Sequence, residues 1–106
     1  MATNFKITLH QNSDNLHLML EGDFDGSSAY ELLNLLEKSC RLVPRIFIHT
    51  GGLRHVYPFG SSLFQSHLSG LKPCKHILLK FTGVHARKFL SDRARIHQIY
   101  KVGLDE

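Results

Sequence analysis

Two short apolar runs, Ile46-Phe47-Ile48 and Ile77-Leu78-Leu79, constrain this chain more than any other feature, because an amphipathic segment long enough for a helix separates them. Strand-like runs joined by a helix of that length pair in parallel through a right-handed crossover, and the unit is an α/β layer. The first run reads as a strand from Arg45 to His49, covered on both sides, with Thr50-Gly51-Gly52 as the loop that ends it. The second reads as a covered strand from His76 to Phe81. Between them Pro58 fits only a helix's first turn, so a helix is expected from Pro58 to Ser69, stopped by Gly70 and Pro73. Phe59, Leu63, Phe64, His67 and Leu68 would lie near its buried side.

The flanks extend the pattern. Phe5, Ile7 and Leu9 alternate with Lys6, Thr8 and His10, and after the polar stretch Gln11 to Asn15 Leu16, Leu18 and Leu20 alternate with His17, Met19 and Glu21, which predicts a hairpin. Ser28 and Glu31, three apart, are placed to cap a helix whose apolar stripe is Ala29, Leu32, Leu33, Leu36 and Cys40, ending before Pro44. Val84 to Ala94 reads as a third helix packing Phe89 and Leu90, and Arg95 to Tyr100 as a last strand. The order is β-β-α-β-α-β-α-β. At 106 residues the chain has room for one domain, residues 1–106, with a core that needs no metal or disulfide.

Composition bounds the function. The N-terminus lacks the basic start and apolar run of a secretion signal, and no apolar stretch is long enough to span a membrane, so a cytoplasmic protein is expected. Cys40 and Cys74 match no C-x-x-C pattern and are expected as free thiols buried in the core. Residues 1–40 carry two basic and six acidic groups, the remainder eleven basic and three acidic. Such asymmetry marks either two solvated faces or a basic face for an acidic partner. The basic run Arg87, Lys88, Arg93, Arg95 and Lys101, with His85 and His97, lacks stacking aromatics apart from Tyr100, so it is expected as a solvated helix face and nucleic acid is not expected. The eight histidines show neither H-x-H nor H-x-x-x-H spacing, and no metal or other cofactor is expected. His10 and His17 would face each other across the hairpin, and His49 with His55 would flank the loop after the third strand. No phosphate-binding loop or nucleophile elbow occurs, so the chain is not expected to be an enzyme.

Leu20-Glu21-Gly22-Asp23-Phe24-Asp25 before a leucine-rich helix, and the ungapped segment from Ile46 to Gly60, resemble the STAS domain family of sulfate transporters and anti-sigma-factor antagonists. The resemblance covers nearly the whole chain and implies an α/β fold with helices packed on a mixed sheet. It also implies a non-catalytic module that binds a protein partner, such as an anti-sigma factor or kinase in bacterial signalling, with a homodimer possible. In antagonists of this family the second segment carries Asp-Ser-Ser/Thr-Gly, and its first serine is phosphorylated. Here Tyr57, Pro58, Phe59 and Gly60 stand at those positions, so only the glycine matches and proline offers no hydroxyl. Ser61 and Ser62 are the candidates for a displaced acceptor, against the simpler role of serines in a helix's opening turns. The docking surface implied comprises Asp25, His55, Tyr57, Pro58, Phe59 and Gly60, with one of the two aromatic side chains expected to point inward. Asp25 has a simpler role as a helix cap. A ligand-binding or transport-accessory domain, and phosphate binding by the basic third, are the alternatives.

Overall fold

The structure, a computed structural model, describes residues 4–90 and the backbone of 104–105. Strand β1 (Lys6–Gln11) pairs antiparallel with β2 (Asn15–Phe24), as the alternation predicted. Helix α1 (Gly26–Ser39) leads to β3 (Arg45–Val56), and α2 (Pro58–Leu68) leads through a 3-10 turn at Lys72–His76 to β4 (Leu78–Thr82). A second 3-10 turn spans Ala86–Phe89, and a two-residue strand, β5 (Leu104–Asp105), runs along β4. The sheet order is β1-β2-β3-β4-β5, with every pairing after the hairpin parallel.

That order explains a departure from the sequence reading. Both crossovers, β2-α1-β3 and β3-α2-β4, step in the same direction along the sheet, and right-handed connections then put both helices on one face. Strands β3 and β4 are therefore covered on one side, not two: Ile46, Ile48, Leu79 and Phe81 are buried, while Phe47, His49, Lys80 and Thr82 on the other face are half-buried. Phe24, Phe64, Phe81 and Phe89 meet beneath the helices, with ring centroids of Phe24 and Phe89 4.8 Å apart and those of Phe64 and Phe89 5.5 Å apart. Edge-to-face packing of this kind adds about 0.5–1.5 kcal/mol per pair beyond area burial.

Other boundaries move for local reasons. Strand β3 does not stop at Thr50-Gly51-Gly52 but continues to Val56, because Gly52 lies against the Leu20 carbonyl, where a Cβ would stand 2.7 Å from the oxygen. Two register shifts between β2 and β3, each with one extra residue on β3, and Gly22 at φ +91° let the long pair stay in contact. The fourth strand starts at Leu78, and His76 sits in the preceding 3-10 turn. In place of a helix from Val84, Val84 is 76% exposed and the chain makes one 3-10 turn, although Phe89 and Leu90 are buried as expected. The remainder of that helix and the strand expected at 95–100 lie outside the described residues.

Cys40 and Cys74 are buried as expected but are not free: they form a disulfide with Cα atoms 5.1 Å apart. Cys40 caps the C-terminus of α1 and Cys74 lies in the turn before β4, so a 34-residue separation closes only in the folded layer. The cysteines thus give no support to a reducing compartment. Among the described residues no helix is long and apolar enough to cross a membrane.

Candidate functional site

Strands β2 and β3 end side by side, Phe24 against Val56, and both chains turn at once into helices. The Tyr57 amide donates to the Phe24 carbonyl (2.9 Å), which pins the two helix starts together. Two glycines then permit a close approach. A Cβ on Gly60 would stand 2.7–2.9 Å from the carbonyl carbon, oxygen and Cα of Asp25, so α2 rests directly on the backbone entering α1. A Cβ on Gly26 would stand 2.8 Å from Cε2 of Phe59, whose ring lies over that glycine.

Asp25 is the N-cap of α1, and Ser28, not the Ser28/Glu31 pair, completes the capping box. The Ser28 amide donates to Asp25 Oδ1 (3.0 Å), and the Asp25 amide donates to Ser28 Oγ (3.2 Å). The Ser27 hydroxyl donates to the same carboxylate oxygen at 2.8 Å. Burial works against the Asp25 charge, but the hydrogen bonds from Ser27 and Ser28 outweigh it and bring the carboxyl down to about 2. The cap that the sequence offered as Asp25's simpler role is its observed one.

Helix α2 begins differently. Tyr57 occupies the N-cap without a side-chain bond, and Pro58 is the first helical residue. Tyr57 is 48% exposed and Phe59 70% exposed, so neither aromatic points inward, and Phe59 is not on the buried side of α2. That side is Gly60, Phe64 and Leu68, with Leu63 half-buried and His67 exposed. His55 is exposed, its ring 6.2 Å from that of Tyr57. The corner thus brings together Asp25, His55, Tyr57, Pro58, Phe59 and Gly60. Ser61 is half-buried and its hydroxyl donates to the Pro58 carbonyl (3.2 Å), while Ser62 is exposed.

The histidines are distributed otherwise than expected. His10 does oppose His17, with ring centroids 6.4 Å apart, but His49 lies away from His55 on the half-open sheet face. There His49 Nε2 stands 2.9 Å from His17 Nδ1, and His49 Nδ1 2.7 Å from Thr82 Oγ1. The two rings are within 3° of parallel with centroids 5.1 Å apart; with that N···N distance they lie end to end in one plane, joined by a hydrogen bond. Sequence spacing gave no sign of this chain, because its members come from three strands. His85 Nε2–H donates to the Leu53 carbonyl (3.1 Å), and Lys88 Nζ donates to its Nδ1 (3.4 Å). Among the described residues no three histidine, cysteine or acidic side chains are grouped to hold a metal. Of the basic run, Arg87 and Lys88 are exposed in the 3-10 turn, and Arg93, Arg95, His97 and Lys101 lie outside the described residues.

No family model matches the chain, and no curated protein matches it. Solved structures do. The unphosphorylated anti-sigma-factor antagonist SpoIIAA aligns with a TM-score of 0.60 and 12% identity, over 95% of this chain and 89% of that one. The fold is STAS-like. An uncharacterised Shewanella loihica protein of the DUF3478 family, described as having a SpoIIAA-like fold, aligns with a TM-score of 0.56 and 14% identity, over 98% and 89% of the two chains. At such identities the STAS likeness is one of architecture.

Proposed function

We propose that this STAS-like domain is a non-catalytic protein-interaction module of a bacterial signalling or regulatory pathway. Its partner docks at the corner formed by Asp25, His55, Tyr57, Pro58, Phe59 and Gly60. One observation carries the proposal: two large aromatic side chains, Tyr57 48% and Phe59 70% exposed, stand together at the start of α2, with the Phe59 ring lying over Gly26. Aromatic side chains are among those that most often dominate binding energy at protein interfaces. The architecture shared with an anti-sigma-factor antagonist supports the same class of function. Pro58 has no hydroxyl, so binding here is not switched by phosphate at the position the STAS pattern uses. The partner is a kinase-like anti-sigma factor or another signalling protein.

The test is capture of partners from lysate by the tagged domain, beside Tyr57→Ala and Phe59→Ala. Each variant is expected to lose at least about 1 kcal/mol of binding, some fivefold in affinity, with its melting temperature nearly unchanged. Equal capture by all three proteins refutes the assignment of the corner.

A further inference from the structure

A second surface lies toward the C-terminal end of α1, along the edge of β1 that pairs with no strand among the described residues. The Asn12 amide donates to the Asn15 carbonyl (2.8 Å) at the hairpin's end. Hydrogen-bonded pairs alternate along an antiparallel ladder, so the pairs that exchange bonds are His10–His17, Thr8–Met19 and Lys6–Glu21. The amides and carbonyls of Ile7, Leu9 and Gln11 therefore point outward, away from β2, at the edge of the sheet. Edge strands in monomers are commonly blunted by a bulge, a proline or mid-strand charge; β1 has one lysine at its start and Leu9, 51% exposed, at its middle. Beside it runs a groove of about 170 Å³ between β1 and α1, lined by Leu9, Leu16, Leu35 and Leu42 with Lys38 among them. Leu42 is 73% exposed.

The geometry points to a second copy of this chain as the occupant, its β1 antiparallel to the first across a two-fold axis at Leu9. Hydrogen-bond parity selects the register. Outward-facing residues must oppose outward-facing residues, and an axis at Leu9 is the one that uses all three, with Ile7 opposite Gln11 and Leu9 opposite itself. This register sets Lys6 opposite Asn12 and Thr8 opposite His10, so no two charged side chains of the same sign are paired.

Charge on the neighbouring helix agrees. Glu31, Leu35 and Lys38 recur at helical spacing on α1 and form one stripe, of which Leu35 and Lys38 line the groove together with Leu42 from the turn after the helix. The two-fold reverses that stripe in the second copy and sets the Glu31 end of one helix toward the Lys38 end of the other. The result is a continuous sheet through two molecules, with the apolar grooves merged at the axis and the Tyr57–Phe59 corner of each left uncovered. Such an interface is isologous.

Sedimentation equilibrium of the full chain, Leu9→Lys, Leu9→Glu and their equimolar mixture tests this. Leu9 is half-exposed, so both substitutions leave the monomer folded, which circular dichroism verifies. Wild type is expected at twice the 12.1 kDa chain mass, each variant alone as a monomer, and the mixture as a dimer, because the axis brings residue 9 opposite itself. A wild type that stays monomeric from micromolar to near-millimolar concentration overturns the proposal. So does a dimer that survives in Leu9→Lys, or a mixture that fails to reassociate.

Discussion

The contact between α2 and the Asp25 backbone is the joint on which the corner depends, and Gly60→Ala probes it directly. The new Cβ would lie 2.7, 2.8 and 2.9 Å from three backbone atoms of Asp25, where ordinary contact is 3.4–4 Å. Backbone cannot rotate away as a side chain can, so the first turn of α2 must retreat by about 0.5–0.7 Å, lifting Phe59 from Gly26. Overpacking of this kind costs about 1–3 kcal/mol. With unfolding entropy of about 2.1 cal/mol/K per residue, 106 residues give about 0.22 kcal/mol/K, so the melting temperature should fall by about 5–13 °C. Gly51→Ala is the control: a Cβ there meets nothing within 4 Å, and the change should be within about 0.5 kcal/mol of neutral. Urea denaturation and thermal melts of the three proteins measure both. A Gly60→Ala protein that melts within about 1 °C of wild type, like the control, refutes the close approach of α2 to Asp25.

Asp25→Ala removes the cap of α1 and should cost about 1 kcal/mol near neutral pH. Because the folded carboxyl titrates at about 2 against an ordinary 3.8, this contribution is complete above about pH 4 and is lost as pH falls through 2; urea melts of both proteins across that window should converge at its acid end. Replacing Cys40 and Cys74 together by alanine opens a 34-residue loop and should cost about 3–4 kcal/mol by the chain-entropy relation, read from urea denaturation; a loss below about 1 kcal/mol contradicts a formed disulfide. An anti-sigma-type serine kinase should leave the native chain without stoichiometric phosphate, and phosphate on Ser61 or Ser62 by mass spectrometry contradicts this.

The hairpin, both helices and the element order through β4 were legible because each rests on local periodicity: Leu16, Leu18 and Leu20 at period two, Leu32, Leu33 and Leu36 at helical spacing. What escaped depends on tertiary placement. Phe47 and His49 extend an apolar run, so nothing in Arg45–His49 tells a strand covered on one face from one covered on two. The Cys40–Cys74 bond needs α1 and the turn before β4 to meet, and the His17–His49–Thr82 chain needs three strands in register. In the corner, Pro58 placed the start of α2 correctly, but helical spacing alone set Phe59 near its buried side. Phe59 instead lies outward with its ring against Gly26, and Gly60 is the residue where α2 meets the Asp25 backbone. Gly26 and Gly60 were visible as letters, yet the contacts that make them necessary were not.

Docking of a foreign protein on Tyr57 and Phe59 can be read by site-specific photo-crosslinking, with a benzophenone side chain placed in turn at Phe59, Tyr57 and Leu42, all exposed. One heterologous protein is expected to become attached from positions 59 and 57, while position 42 yields the chain's own dimer. Attachment of that protein from position 42, with none from 57 or 59, would contradict docking at the corner.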